Sequence, residues 1–213
     1  MSNGDKIING MFWSFAERFC TQGVGLIISI ILARLVLPEE YGIIAAAVIF
    51  TGLATSFVTG GFGNALIQRK DADNKDFSTL FWFNTVFSIA IFALIFVFAP
   101  YLARIFNDTY DRDLLVAVMR ALGIGIIISS FSSFYKSILM KRLQFKKIFF
   151  LSLIGIVISA AVGIYMAYNG FGVWALVVQN LVSYFVSCIF YMIFSKWHPI
   201  FYFSMKKLKP LFR

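Results

Sequence analysis

FSTLFWFNTVFSIAIFALIFVFAPYLA, residues 77–103, decides the fold class. It is apolar beyond the ~20 residues that a helix needs to cross about 30 Å of hydrocarbon. Working outward, comparable stretches occupy residues 7–37, 41–67, 114–139, 148–168 and 173–195. A lone strand in lipid would leave backbone N–H and C=O groups unpaired at several kcal/mol each, so all six are expected to be helices. The composition agrees: of 213 residues 60% are hydrophobic and 18% aromatic, and the mean hydropathy is +0.84. The expectation is an all-α integral membrane protein with one six-helix domain over residues 1–199. A basic, aromatic segment follows at 200–213.

Charge sets the topology. Lys6, Arg69, Lys70, Lys75, Lys141, Arg142, Lys146, Lys147, Lys196, Lys206, Lys207, Lys209 and Arg213 fall on one side if the chain weaves through a bilayer, thirteen of the 19 basic residues. The other side holds Arg34, Arg104 and Arg112, offset by Glu39, Glu40, Asp108, Asp111 and Asp113. The positive-inside rule makes the basic side cytoplasmic, and an even number of spans puts both termini there. The net charge of +9 is thereby accounted for without nucleic acid. The first stretch is interrupted by Glu17 and Arg18 and has no A-x-A-like cleavage site, so it reads as a retained helix.

The breaks carry helix-stopping residues: Pro38, the polar run 68–76, Pro100, the run 107–113, and Asn169 with Gly170 and Gly172. Connections this short predict that consecutive helices pack as neighbours. Gly155, Ser159, Gly163 and Ala167 form a small-residue ridge for helix packing, and Gly52, Ser56, Gly60 and Asn64 form another. Trp82, Trp174, Trp197 and Tyr202 sit near span ends, as interfacial anchors do.

The ionisable residues inside the spans are the functional candidates. Arg18 lies roughly 18 Å along a helix from Lys6, which predicts a mid-membrane position costing roughly 2.5–3.5 kcal/mol unless it faces a partner or a wet cavity. Ser14, Arg18, Gln22, Gly25 and Ser29 form one polar stripe on the first helix, expected to face inward. Glu17 is rotated about 100° from Arg18 and needs another partner or a proton, which makes it the candidate for ion coupling. Arg120 and Lys136 on the fourth stretch, with Ser129, Ser132 and Ser133, and Gln179 and Asn180 on the sixth, with Ser183 and Ser187, extend the pattern. Two readings stand. In one, these residues line a cationic cavity for an anionic head group. In the other, Arg120 and Lys136 snorkel to the interfaces and the serines bond back to their own helices.

No catalytic constellation is present in the sequence. His198 is the sole histidine and follows Trp197, Cys20 and Cys188 have no CxxC or framework spacing, and there is no Walker loop. The expectation is a non-enzyme without metal or cofactor.

Several segments carry a family resemblance: Phe12-Trp13-Ser14, Leu32-Ala33-Arg34-Leu35 followed by Pro38 and Tyr41-Gly42, and the run from Gly61 to Arg69. Phe81-Trp82-Phe83-Asn84, Ala99-Pro100, Gln144-Phe145-Lys146 and the run from Gly170 to Leu176 continue it. In order and spacing the chain resembles the N-terminal half of bacterial polysaccharide flippases of the MOP exporter superfamily, the lipopolysaccharide, teichuronic-acid and colanic-acid type. The resemblance implies one six-helix lobe of a two-lobed, MATE-like carrier. That carrier moves an undecaprenyl-pyrophosphate-linked oligosaccharide between leaflets of the bacterial cytoplasmic membrane by alternating access. It implies lipid-linked oligosaccharide, membrane lipids and polysaccharide polymerase machinery as partners. Members continue into a second six-helix lobe, so residues 201–213 are expected to lead towards one, in the same polypeptide or rebuilt by a homodimer. The rival expectations are an ion-coupled drug or metabolite antiporter on the same fold, and a non-transporting scaffold or inactive truncated product.

Overall fold

The computed structural model describes residues 3–60, 74–106 and 110–202. They form six long helices: α1 (Asn3–Leu35), α2 (Pro38–Gly60), α3 (Asn74–Ala103), α4 (Arg112–Lys141), α5 (Phe145–Tyr168) and α6 (Val173–Ser195). A 3₁₀ turn, Arg104–Phe106, follows α3. Each long helix is long and apolar enough to span a bilayer. The protein is an all-α, multi-pass membrane protein. The end of the second apolar stretch, including Asn64, and residues 203–213 lie outside the described residues.

Local chemistry explains the boundaries. Pro38 opens α2, where its missing N–H costs nothing, and Glu39 and Glu40 in the first turn favour the positive end of the helix dipole. Asp111 caps α4 by accepting from the Asp113 N–H at 2.9 Å. Between α5 and α6 the chain reverses through Gly170 and Gly172, both at positive φ. Gly172 also abuts the Glu40 carboxylate closely, so a side chain there would be both strained and obstructed.

Packing departs from the sequence-neighbour rule. α3 pairs with α4 and α5 with α6, as short connections predict, and α6 also lies along α4. α1 instead packs mainly on α5, and α2 mainly on α4. The connection of Val36 and Leu37 fixes only the joined ends, where Tyr41 Oη donates to the Ser29 carbonyl at 3.2 Å. Beyond that corner each helix spends its apolar face on a different partner, so the two diverge.

Apolar burial is concentrated at the two ends. At the acidic end Ile28, Leu32 and Val36 of the α1 side meet Ile43 and Ala47 of α2, Val118 and Met119 of α4, and Val173 and Leu176 of α6. At the basic end Phe81, Phe134, Tyr135 and Leu139 surround Trp197, which the chain inserts just after α6. The Trp197 indole N–H donates to Asn74 Oδ1, and the Ile200 N–H donates to Ser78 Oγ at 3.0 Å. The α5 ridge does what its spacing predicts: Gly155, Ser159, Gly163 and Ala167 are all buried. A Cβ at Gly163 would lie 2.8 Å from Gln179 Cβ of α6, so the two backbones approach as closely as glycine allows. The α2 ridge is different, since a Cβ added at Gly60 would meet nothing within 4 Å and Ser56 is exposed.

Candidate functional site

The divergence of α1 and α2 leaves a cleft between them, floored by α4, α5 and α6. Its cavity of about 360 Å³ is lined by Ile156 of α5 and by residues that carry a polar group: Glu17 and Thr21 of α1, Thr55 and Thr59 of α2, Ser129, Ser132, Ser133 and Lys136 of α4, Ser152 of α5, and Ser183, Tyr184, Ser187 and Tyr191 of α6. An ion pair sits at its base. Lys136 Nζ donates to Glu17 Oε1 at 2.8 Å, and the same oxygen accepts from Ser152 Oγ at 2.9 Å. Ser152 in turn shares a 2.6 Å hydrogen bond with Tyr191 Oη, so one chain of contacts ties α4, α1, α5 and α6 together. Glu17 is buried, whereas the Lys136 side chain remains 33% accessible towards the cleft.

The cleft is neutral at this point, because Glu17 cancels the Lys136 charge. Its hydroxyls also have a defined polarity. Thr21 donates to the Glu17 carbonyl at 2.6 Å, Thr55 to Thr51 at 2.7 Å, Thr59 to Thr55 at 2.8 Å and Ser129 to Ile126 at 2.9 Å. A hydroxyl that spends its proton on its own helix keeps two lone pairs for a visitor. The wall is therefore rich in acceptors, with the ammonium as its charged donor.

Depth corrects the sequence reading. Lys136 lies five residues from the basic end of α4 at Lys141, roughly 7.5 Å at 1.5 Å per residue. Glu17, its partner, and Arg18 beside it are therefore nearer the basic end of the bundle than its middle. α1 has 33 residues, about 50 Å of helix against about 30 Å of hydrocarbon, so its first turns extend past the apolar layer and Lys6 does not mark its edge.

The inward direction of the α1 stripe is corrected too. Arg18, Gln22 and Ser29 are exposed and Ser14 is half-buried. The face turned into the bundle is offset by one residue: Glu17, Thr21, Val24, Ile28 and Leu32. Ser14 and Arg18 line a separate recess with Gly10, Met11, Phe15, Leu143 and Phe145.

Of the predicted residues, the cleft brings together Glu17, Lys136, Ser129, Ser132, Ser133, Ser183 and Ser187, and leaves Ser14, Arg18, Gln22, Arg120, Gln179 and Asn180 elsewhere. Arg120 Nε donates to the Phe96 carbonyl at 3.3 Å, with its guanidinium 4.2 Å from the centre of the Phe96 ring, an α3–α4 tie. Gln179 packs its stem over Gly163, and the Asn180 amide donates to the Leu176 carbonyl at 2.9 Å. Gln22 is exposed on the uncovered side of α1. Sequence reasoning passed over Ser152, Tyr191 and the Thr51, Thr55, Thr59 row. The four-residue spacing of those threonines was the available signal, one residue out of step with the glycine ridge.

A family model described as "Polysaccharide biosynthesis protein" matches residues 31–213, most of the chain. The chain belongs to that family. This family member is 27% identical over 212 residues, 97% of the chain, to the teichuronic acid biosynthesis protein TuaB of Bacillus subtilis, of which it covers 42%. It is 26% identical over 99% of its length to the succinoglycan biosynthesis transport protein ExoT of Rhizobium meliloti, again covering 42%. It is 25% identical over 70% of its length to the lipopolysaccharide biosynthesis protein WzxC of Escherichia coli, covering 29%. The polysaccharide family member thus spans less than half the length of these relatives. No solved structure matches it.

Proposed function

We propose that this chain is one lobe of a carrier that moves an undecaprenyl-pyrophosphate-linked oligosaccharide from the cytoplasmic to the periplasmic leaflet, and that the glycan passes along the α1–α2 cleft. The observation that carries the proposal is a polar, ion-paired cleft in the basic half of an otherwise apolar bundle, in a chain of a polysaccharide biosynthesis family. Sugar hydroxyls are donors as well as acceptors, and the acceptor-rich wall suits them. A cavity of about 360 Å³ is within the usual range for a ligand site. The positive-inside rule puts the basic end in the cytoplasm, so the corner at Val36 and Leu37 is periplasmic and the cleft widens towards the side on which the cargo is made. A second six-helix lobe, in the same polypeptide or a second copy, closes the path and rocks against this one. The polymerase that consumes the flipped unit is the downstream partner.

The test uses the full-length protein. Ser132→Ala with Thr55→Val removes two acceptors with little change in volume. Surface polysaccharide is expected to fall severalfold at unchanged protein level by immunoblot, and full output from that variant removes the glycan from the cleft.

Glu17 favours a second reading, ion-coupled exchange of a cationic drug or metabolite, because its carboxylate pairs with Lys136 inside the cleft. A proton on Glu17 would break that pair. Proton-driven dye efflux lost in Glu17→Gln, with glycan export retained, selects this second reading over the first.

A further inference from the structure

A second concavity lies on the flank of α1 outside the cleft, and the proposed path does not use it. Two adjoining recesses of about 450 and 510 Å³ share Gly10, Leu143 and Phe145. There α1 meets the α4–α5 connection closely, since a Cβ on Gly10 would lie 2.9 Å from the Phe145 ring. The two parts differ in chemistry. One has an apolar wall of Met11 and Phe15, 68% and 70% exposed, with Arg18 beside it. The other carries Arg142, Lys146 and Lys147 at the basic end. No acidic side chain is among the described residues lining either.

The cations border adjoining recesses. Helical side chains lean towards the N-terminus of their helix, and for α1 that is the basic end, so Arg18 reaches up towards the level of Lys146 and Lys147. Lys146 is held 5.5 Å over the Trp13 ring, and Arg142 donates to the Ser195 carbonyl. The start of α5 adds to this: Gln144, the residue preceding it, makes no side-chain cap, and with the Lys147 N–H donating to the Gln144 carbonyl at 3.0 Å, the N–H groups of Phe145 and Lys146 are the ones without an intrahelical acceptor.

We propose that this recess binds the glycerol-phosphate head of an anionic phospholipid from the leaflet at the basic end. The phosphate sits among Arg18, Lys146, Lys147 and the first turn of α5. An acyl chain lies along Met11 and Phe15. Charge complementarity selects an anionic lipid over a zwitterionic one. The site is separate from the cleft: Arg18 and Glu17, adjacent in sequence, project about 100° apart on α1. It therefore stands whether or not the glycan takes the path proposed above.

The experiment is lipid retention by the purified 213-residue chain in detergent, read by native mass spectrometry with phosphatidylglycerol or phosphatidylcholine added. At least one phosphatidylglycerol is expected to remain bound at concentrations that leave phosphatidylcholine unbound. Lys146→Ala with Lys147→Ala changes two exposed side chains, so the fold is expected to survive, as unchanged circular dichroism checks. Retention of phosphatidylglycerol by that variant is expected to weaken roughly thirtyfold. Three results overturn the proposal: equal retention of both lipids, a double variant that binds like the parent, or displacement of phosphatidylglycerol by polyprenyl phosphate at equal concentration. The last assigns the recess to the cargo lipid. Formation of a dimer that expels the lipid likewise overturns it and assigns the face to a second copy.

Discussion

Breaking the Glu17–Lys136 pair tests the physical basis of the cleft. The N···O distance is 2.8 Å, and the side chains are 12% and 33% accessible respectively. Two unit charges about 4 Å apart at an effective dielectric constant of 20 attract by about 4 kcal/mol. Solvent reaches a third of the Lys136 side chain, so screening leaves roughly half of that, about 2 kcal/mol. Glu17→Gln keeps the shape of the side chain and an acceptor for Ser152 but removes the charge. Lys136→Met removes the ammonium and keeps the stem. For a chain of this size about 2 kcal/mol corresponds to a fall of roughly 4–8 °C in Tm. Each single variant is expected to show that fall in thermal unfolding in detergent, followed by circular dichroism. The double variant strands no charge, so its Tm should fall no further than that of either single variant, a coupling of about 2 kcal/mol. Two falls that simply add in the double variant would show that the residues act independently, and the cleft would then not be organised around an ion pair.

Three further outcomes follow from the packing. Gly163→Ala drives a methyl group into Gln179 Cβ and should lower stability by about 1–3 kcal/mol, visible as a lower Tm; an unchanged Tm would mean that α5 and α6 are not in close contact. Trp197→Ala empties the aromatic box of Phe81, Phe134 and Tyr135, a change of about 3–5 kcal/mol for a large core side chain, and should make the chain after α6 readily cleaved by protease at the basic end. Arg120→Gln loses only a 3.3 Å hydrogen bond and a ring contact with Phe96, so polysaccharide export by the full-length protein is expected to be unaffected; a severe export defect at normal protein level would return Arg120 to the cargo path.

Much of the architecture was legible because lipid makes strong demands. Every helix expected from an apolar run exists, and the α5 ridge buries itself against α6 because only small residues permit that approach. The cleft was half legible. Ser129, Ser132, Ser133 and Lys136 were grouped correctly from their spacing on α4, and Glu17 was correctly denied Arg18 as a partner. On α1 the polar stripe lies one residue from the face turned into the bundle, and on α2 the cleft threonines lie one residue from the small-residue ridge. A shift of one residue is about 100° of rotation, and periodicity contains no reference for which angle faces the bundle. Arg120, Gln179 and Asn180 lie outside the cleft for a related reason: a polar side chain in a span needs a partner, but its identity depends on which helix lies alongside.

Composition, apolar run length and the sorting of basic residues settle by themselves that this chain is a six-span membrane protein with a basic and an acidic side, because unpaired backbone and buried charge are too costly in lipid to allow much else. Tertiary structure alone decides that α1 leaves α2 and leans on α5. That choice rests on side-chain packing among nearly equally apolar faces, where small differences in shape prevail. It opens the cleft, gives Glu17 to Lys136, and turns Arg18 out onto the flank.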